Sequence, residues 1–421
     1  MKVFLFNDST SQNNWGCRAT TLGLIKLIEE GGHEIVGSMQ LEKISTIKTN
    51  NVTSVLKKIL KKNKYLFKLI RSLAWNVKKM GGYRLGFISS FKDFDGFSKM
   101  ILSQRIWKQE LPQMQVADLI LVNGEGSIYG NEQKGFFTLF VCWFAKIKLN
   151  KRCALVNHTL DLSNPNMESI AKIVYPMLDD ISFREKISED KYKKICNIDK
   201  NLFVPDAAFV HKVNTHESLR TFQNNNKEKL LGLNIIEDNY ICILGSSILG
   251  RPEKSNLFPI DQFLFLVEKL LQQKYKVIMV ASDTTDESPF KKIAILKNLP
   301  FFGASTDLKS GIAILTNAIC LIGGRWHPSI LASLGGTPSI MMSANTSKTK
   351  AFLNMFDLPD KIYDPFSLDQ SSDSIISLLL NYQQISDLRS KIKNKAIRYS
   401  ELAKYNIRSL NSDLNNEHLY K

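Results

Sequence analysis

One stretch restricts the possible folds more than any other: residues 320–340, Cys-Leu-Ile-Gly-Gly-Arg-Trp-His-Pro-Ser-Ile-Leu-Ala-Ser-Leu-Gly-Gly-Thr-Pro-Ser-Ile. It reads as strand, turn, helix, turn, strand. Residues 318–322 form a short apolar run of the kind found in buried parallel strands. Gly323 and Gly324 are expected to break that strand with a tight turn. Pro328 suits a first helical turn, and Ile330, Leu331 and Leu334 supply one apolar face. Gly335 and Gly336 stop the helix, and Pro338 opens the next strand. Arg325 and His327 therefore fall between a strand end and a helix start, where open α/β sheets bind ligands. A helix N-terminus favours anions, and Arg325 adds a planar cation. His327 can give or take a proton near neutral pH. The competing reading is a surface arginine and a helix-capping histidine.

The rest of the chain repeats this alternation. Lys2 to Phe6 reads as a first strand, followed by a loop with Asn13, Asn14 and Gly16 as turn formers, a helix over 19–30 and a strand over 33–37. Apolar runs at 117–122 and 153–158 read as further strands. The first ends in the turn Asn123-Gly-Glu-Gly-Ser127, the second at His158. A short strand ends at Arg184. Beside Pro205, Asp206 reads as a structural turn residue. After a polar stretch at 212–237, strands are expected at 240–244, 276–281, 300–302, 318–322 and 339–342. Helices are expected between them, with two more over 371–410. Strand and helix alternation predicts parallel sheets covered on both faces.

A length of 421 residues calls for two domains. The predicted division is an N-terminal α/β domain over 1–211 with a basic helical insertion at about 43–110. A linker follows at 212–237, then a C-terminal α/β domain at 238–370 and terminal helices at 371–421. No apolar run is long enough to span a bilayer, and the first residues do not read as a signal peptide. The six cysteines show no paired spacing, so buried thiols are expected rather than disulfides or a zinc site. The net charge of +16 is concentrated: residues 43–92 hold 13 Lys or Arg and no acidic residue. Interleaved hydrophobics there predict amphipathic helices, either solvated or lying on an anionic membrane surface. No nucleic-acid-binding module accompanies the charge. A cytoplasmic protein, peripheral at the inner membrane face, is the expectation.

With both halves laid out, the chain resembles the polysaccharide pyruvyl transferase family. The resemblance rests on Asn14-Trp-Gly-Cys17, Asn123-Gly-Glu-Gly-Ser127, Ser182-Phe-Arg-Glu185, Pro205-Asp-Ala-Ala-Phe209, Gly324-Arg-Trp-His327 and Gly336-Thr-Pro338. Arginine–x–histidine followed by glycine–x–proline is the most specific of these. The resemblance implies two Rossmann-like domains facing a cleft, similar to the glycosyltransferase B architecture. It also implies transfer of the pyruvyl unit of phosphoenolpyruvate onto two sugar hydroxyls as a cyclic ketal.

By that resemblance Arg325 and His327 are active-site residues and Arg184 lies on the facing domain. Two guanidinium forks suit a donor carrying phosphate and carboxylate, and His327 suits the proton transfers. Asn14, Gly16, Gly124, Gly126, Ser127, His158 and Gly324 complete the expected substrate-binding set. No metal and no cofactor is expected. Glu125 departs from the family's run of small residues and places a carboxylate where an anionic donor would be repelled. It is therefore assigned to the acceptor, as a base. The alternative is a glycosyltransferase on the same scaffold using a nucleotide-activated sugar such as a CMP-ulosonic acid, with Glu125 as base or nucleophile. A third reading is a non-catalytic, membrane-associated scaffold. Saccharide or lipid-linked saccharide acceptors fit both enzyme readings.

Overall fold

The computed structural model describes residues 1–41, 88–130, 133–196, 202–249 and 258–411. Most of the basic stretch 43–92 lies outside the described residues.

Eleven strands among the described residues form two parallel sheets. The first contains β1 (Lys2–Phe6), β2 (Glu34–Met39), β3 (Leu119–Tyr129), β4 (Arg152–Asp161) and β5 (Asp180–Phe183), in the order β2-β1-β3-β4-β5. The second contains β6 (Tyr240–Ser246), β7 (Lys276–Val280), β8 (Phe301–Phe302), β9 (Cys320–Gly324), β10 (Ser339–Met342) and β11 (Ile362–Tyr363), in the order β11-β10-β9-β6-β7-β8. Every residue of β6, β9 and β10 is buried, as their uninterrupted apolar runs require of strands covered on both faces. Both orders reverse direction once, at β1/β3 in the first sheet and at β6/β9 in the second. The carboxyl ends of strands at such a reversal are where doubly wound sheets hold ligands.

Contacts divide the chain into two compact units, and the division does not follow the sequence. The first takes Met1–Asp8 and Gly32–Ile181. The second takes Ser9–Gly31, Ser182–Lys194 and the chain from residue 198 onward. The first helix, Trp15–Glu30, thus belongs with the second sheet although it directly follows β1. Side-chain chemistry explains why. The buried Trp15 donates its Nε1–H to the Gly303 carbonyl (3.2 Å), and Arg18 donates to the Ala304 (2.9 Å) and Thr306 (2.6 Å) carbonyls. Gly311 leaves room for the indole, since a Cβ there would lie 2.8 Å from Trp15 Cε3. A βαβ opening of the first sheet would have placed this helix otherwise.

Several boundaries differ from expectation for identifiable reasons. The stretch 212–237, expected to be a linker, contains the helix His216–Asn225. Thr215 caps that helix, and Leu219 and Phe222 are buried beneath it. Strand β3 does not end in a turn at Asn123 but runs on to Tyr129, with its pairing to β4 slipping between Glu125 and Ile128. Gly323 and Gly324 lie inside β9. They are glycines because the neighbouring strand crowds them: a Cβ on Gly324 would strike Ser246 Oγ.

Replacing Trp15 with alanine is expected to destabilise the second unit by about 3–5 kcal/mol through the cavity it leaves. Chemical denaturation gives the magnitude, and amide exchange gives the location. Exchange should quicken in the helix Leu308–Asn317 while β3 and β4 stay protected. An equal loss of protection in β3 and β4 would detach the first helix from the second unit.

Candidate functional site

In the second unit the site is built on one buried carboxylate. Asp206 is fully buried and caps the short turn Ala207–Val210, with Oδ1 accepting from the Ala208 N–H at 2.9 Å. Its other contacts come from distant segments. Thr20 of the first helix donates its hydroxyl to Oδ1 (2.9 Å). Arg184 Nη1 (3.0 Å) and Trp326 Nε1 (3.1 Å) donate to Oδ2, and His327 Nε2 lies 3.2 Å from the same oxygen. Burial alone would raise the carboxyl's pKa. His327 and Arg184 outweigh that and hold it well below the usual carboxylate range.

Supporting contacts fix these groups. Phe183 pairs with Phe203, which brings Arg184 and Asp206 onto neighbouring extended segments. Asn406, near the C-terminal end of the described chain, accepts from Ser182 Oγ (3.1 Å) and donates to the Pro205 carbonyl (2.8 Å), tying the two together. The Arg184 guanidinium also lies 5.4 Å from the Trp326 ring centroid.

His327 sits in the first turn of the helix Trp326–Leu334, beside the first turn of the helix Trp15–Glu30. The contact is close enough that a Cβ on Gly16 would overlap the Nδ1 edge of the imidazole. Two helix N-termini thus meet at one histidine, the first capped by Asn14. Such a place attracts anions.

Arg325 is the N-cap residue of the histidine's helix, as expected, but its guanidinium is already engaged. Nε and Nη2 grip Asp286 bidentately (3.0 and 2.8 Å), Nη2 also donates to Thr285 Oγ1 (2.7 Å), and Nη1 lies 3.4 Å from Asp283 Oδ2. Burial opposes the charge. The Asp286 and Asp283 carboxylates more than offset it, so the pKa of Arg325 is raised. Asn14, which caps the first helix, donates to Asp283 Oδ2 (2.5 Å) and joins that helix to the same cluster.

The first unit carries a second polar cluster, just after β1 and within the second halves of β3 and β4. Asn7, Glu125 and Asn157 all have left-handed backbone, with φ of 66°, 44° and 62°. Asn157 Nδ2 donates to Asn123 Oδ1 (3.1 Å). That fixes the amide so that Asn123 Nδ2 faces Glu125 Oε1 at 3.2 Å. Asn7 Nδ2 donates to the Asn123 carbonyl (2.7 Å). The three asparagines are buried, whereas Glu125 and Gly126 are partly exposed. A non-glycine residue with positive φ inside a strand is strained, and such strain concentrates at ligand sites.

The structure sorts the expected residues into two groups. Arg184, Arg325, His327, Asn14, Gly16 and Gly324 fall together in the second unit. Glu125, Gly124, Gly126, Ser127 and His158 fall together in the first. Three expectations are corrected. Neither arginine is an open fork: Arg184 is 1 % exposed and paired with Asp206, and Arg325 is clasped by two aspartates. His158 does not reach a ligand surface. It is fully buried, stacked on Tyr175 and 3.2 Å from its hydroxyl, and it packs under Gly124. Ser127 is also buried, its hydroxyl donating to the Gly124 carbonyl at 2.5 Å. Sequence reasoning undervalued Asp206 and missed Asp283 and Asp286. The signal for these two was present in Ser282-Asp-Thr-Thr-Asp286, an N-cap pattern at the end of β7.

Comparison with known proteins agrees with this architecture. The family described as polysaccharide pyruvyl transferase matches residues 26–346. No curated protein sequence matches the chain. Among solved structures, it is similar to UDP-GlcNAc 2-epimerase from Neisseria meningitidis, with TM-score 0.56, 10 % identity and 97 % and 99 % of the two chains covered. A second similar structure is a protein from Listeria monocytogenes, with TM-score 0.55, 11 % identity and 100 % and 98 % covered. A third is the N-terminal domain of trehalose-6-phosphate phosphatase from Candida albicans, with TM-score 0.52, 12 % identity and 98 % and 96 % covered. At such identities the likeness is one of fold: two parallel-sheet α/β domains of the glycosyltransferase B type.

Substituting Gly16 by alanine separates site geometry from stability. Helix propensity would favour alanine by about 1 kcal/mol, but the new methyl must push the His327 ring aside. A melting temperature within about 3 °C of wild type and activity reduced at least tenfold are expected. Full activity would show that His327 need not hold its position against the first helix.

Proposed function

The chain belongs to the polysaccharide pyruvyl transferase family, and on that premise we propose that it moves the pyruvyl unit of phosphoenolpyruvate onto two hydroxyls of a saccharide as a cyclic ketal. The family and the fold make it a transferase acting on polysaccharides. The observation that carries the finer reading is His327, backed by the Asp206 carboxylate and set where two helix N-termini meet. An anionic donor is drawn to those N–H groups, and a histidine beside it can move protons.

Atoms balance as follows. A proton adds to the methylene carbon of the donor, and the first acceptor hydroxyl bonds to the adjacent carbon. The bond from that carbon to the phosphate oxygen breaks, and the second hydroxyl closes the ring. The two hydroxyl protons replace the one taken up by the methyl group and the one that leaves with inorganic phosphate. His327 is the proton carrier in this scheme. Arg325, clasped by Asp286 and Asp283, holds the start of the histidine's helix in place. Glu125 receives an acceptor hydroxyl, its carboxylate aimed by Asn123.

Titration calorimetry tests the donor, and turnover tests the roles. Wild type is expected to bind phosphoenolpyruvate and not CMP. Replacing Glu125 with glutamine should leave donor affinity within about threefold and lower kcat on the order of a hundredfold. CMP binding without phosphoenolpyruvate binding would instead select the nucleotide-sugar glycosyltransferase. Full activity of the glutamine variant would remove Glu125 from the mechanism.

The acceptor is proposed to lie at an anionic membrane surface. Among the described residues no helix is long and apolar enough to cross a membrane. Attachment would therefore rest on the basic stretch 43–92, with its 13 cations and no acidic residue. At about 1 kcal/mol per basic residue near an anionic surface, binding should be strong at low salt and weaken as salt is added. Sedimentation with vesicles is expected to show protein on anionic and not on neutral lipid. Equal partitioning would overturn this placement.

A further inference from the structure

We propose that Asp206 is the positioning residue for proton transfer: its carboxylate takes the Nε2–H of His327 and so fixes the tautomer that offers the Nδ1 lone pair to the substrate. This rests on the reading of His327 as the proton carrier. The geometry assigns separate tasks to the two carboxylate oxygens. Oδ1 serves the fold, accepting from the Ala208 N–H and the Thr20 hydroxyl, both at 2.9 Å. Oδ2 serves the site, with Arg184 Nη1 at 3.0 Å, Trp326 Nε1 at 3.1 Å and His327 Nε2 at 3.2 Å.

Arg184 Nη1 also lies 3.1 Å from Nε2, so two proton arrangements compete. If Nε2 carried a lone pair, it would accept from Arg184 Nη1 but face the Asp206 oxygen with no proton between two acceptors. If Nε2 carries the proton, Arg184, Trp326 and His327 all donate to one charged oxygen, and Arg184 and His327 stand side by side as donors. Full negative charge on Asp206, sustained by Arg184, favours the second. The Nδ1 edge is then the one turned away from Asp206, and it packs so closely on the first helix that a Cβ at Gly16 would overlap it. Glycine in the first helix thus seats the ring while Asp206 holds the opposite edge.

Asparagine at 206 discriminates positioning from support. Its carbonyl can still accept from Ala208 and Thr20. Its amide, however, puts a donor where Oδ2 was, and His327 must then accept at Nε2 and move its proton to Nδ1. The Asp206→Asn variant is expected to lose on the order of a hundredfold or more in kcat, with the KM for phosphoenolpyruvate within about threefold. Nitrogen-15 NMR of histidine-labelled protein, at a pH where the ring is neutral and with His327→Gln as the assignment control, reads the tautomer directly. Wild type should show Nε2–H and the Asp206→Asn variant Nδ1–H. A wild-type Nδ1–H tautomer would overturn the proposal even if the variant failed to fold, and so would a folded Asp206→Asn enzyme with unaltered kcat. The wild-type spectrum does not depend on the donor. Should phosphoenolpyruvate neither bind nor react while Nε2–H is seen, the donor reading falls and the positioning role stands.

Discussion

A single buried charge ties together segments of the second unit that lie far apart in sequence. Isolating an ionised carboxylate from water costs several kcal/mol unless donors replace the lost hydration. Asp206 finds those donors on Thr20, Arg184, Trp326 and its own turn, with His327 alongside. The same requirement therefore fixes the first helix, the end of β5 and the start of the histidine's helix relative to one another. Because the folded carboxyl is depressed below its ordinary range, its contribution to stability is present above the unfolded value of about 4 and is lost as pH falls below it. Removing any one donor would leave the others to hold a charge they cannot fully solvate.

Much of this was legible in the sequence, and what was not failed for physical reasons. Strand and helix alternation gave both sheets, because fully buried strands are long apolar runs that need no partner to be recognised. The order of β6 to β11 in their sheet was not legible, nor was β11, only two residues long. The placement of the first helix in the second unit was hidden because its anchors, Trp15 and Arg18, bond to backbone carbonyls at Gly303, Ala304 and Thr306. Carbonyls carry no residue signature. Gly323 and Gly324 misled for a related reason: glycine marks close approach as well as turns, and only the neighbouring Ser246 distinguishes the two.

In the first unit a readable pattern passed unused. β1 is followed at once by Asn7, and the apolar runs of β3 and β4 lead into Asn123 and Asn157. Asparagine tolerates left-handed backbone and carries both a donor and an acceptor, so it suits places where the apolar run ends, the strand turns irregular and polar groups need partners. The three amides lie side by side and set the environment of Glu125. His158, by contrast, looked like a site residue only because it stands near a strand end. The strand continues to Asp161, and the ring is enclosed.

Charge accounting bears on how the anionic donor proposed above would be held. Arg184 and Arg325 bring two positive charges, while Asp206, Asp283 and Asp286 bring up to three negative ones, so the cluster is not a simple cationic trap. Bidentate pairing at 2.8–3.0 Å commits most of the Arg325 fork to Asp286, and an incoming phosphate gains little by displacing a carboxylate that already matches guanidinium geometry. A further positive field comes from the two helix N-termini, each equivalent to about half a positive charge and effective over one turn, with Asn14 capping the first. Both meet at His327. The arginines then act chiefly by fixing the aspartates, and through them the histidine and the helix ends. Under the proposed function, recognition of the donor by backbone N–H groups would leave the imidazole free for proton transfer, which a site built from open guanidinium groups around the same ring would oppose by repelling its protonated form.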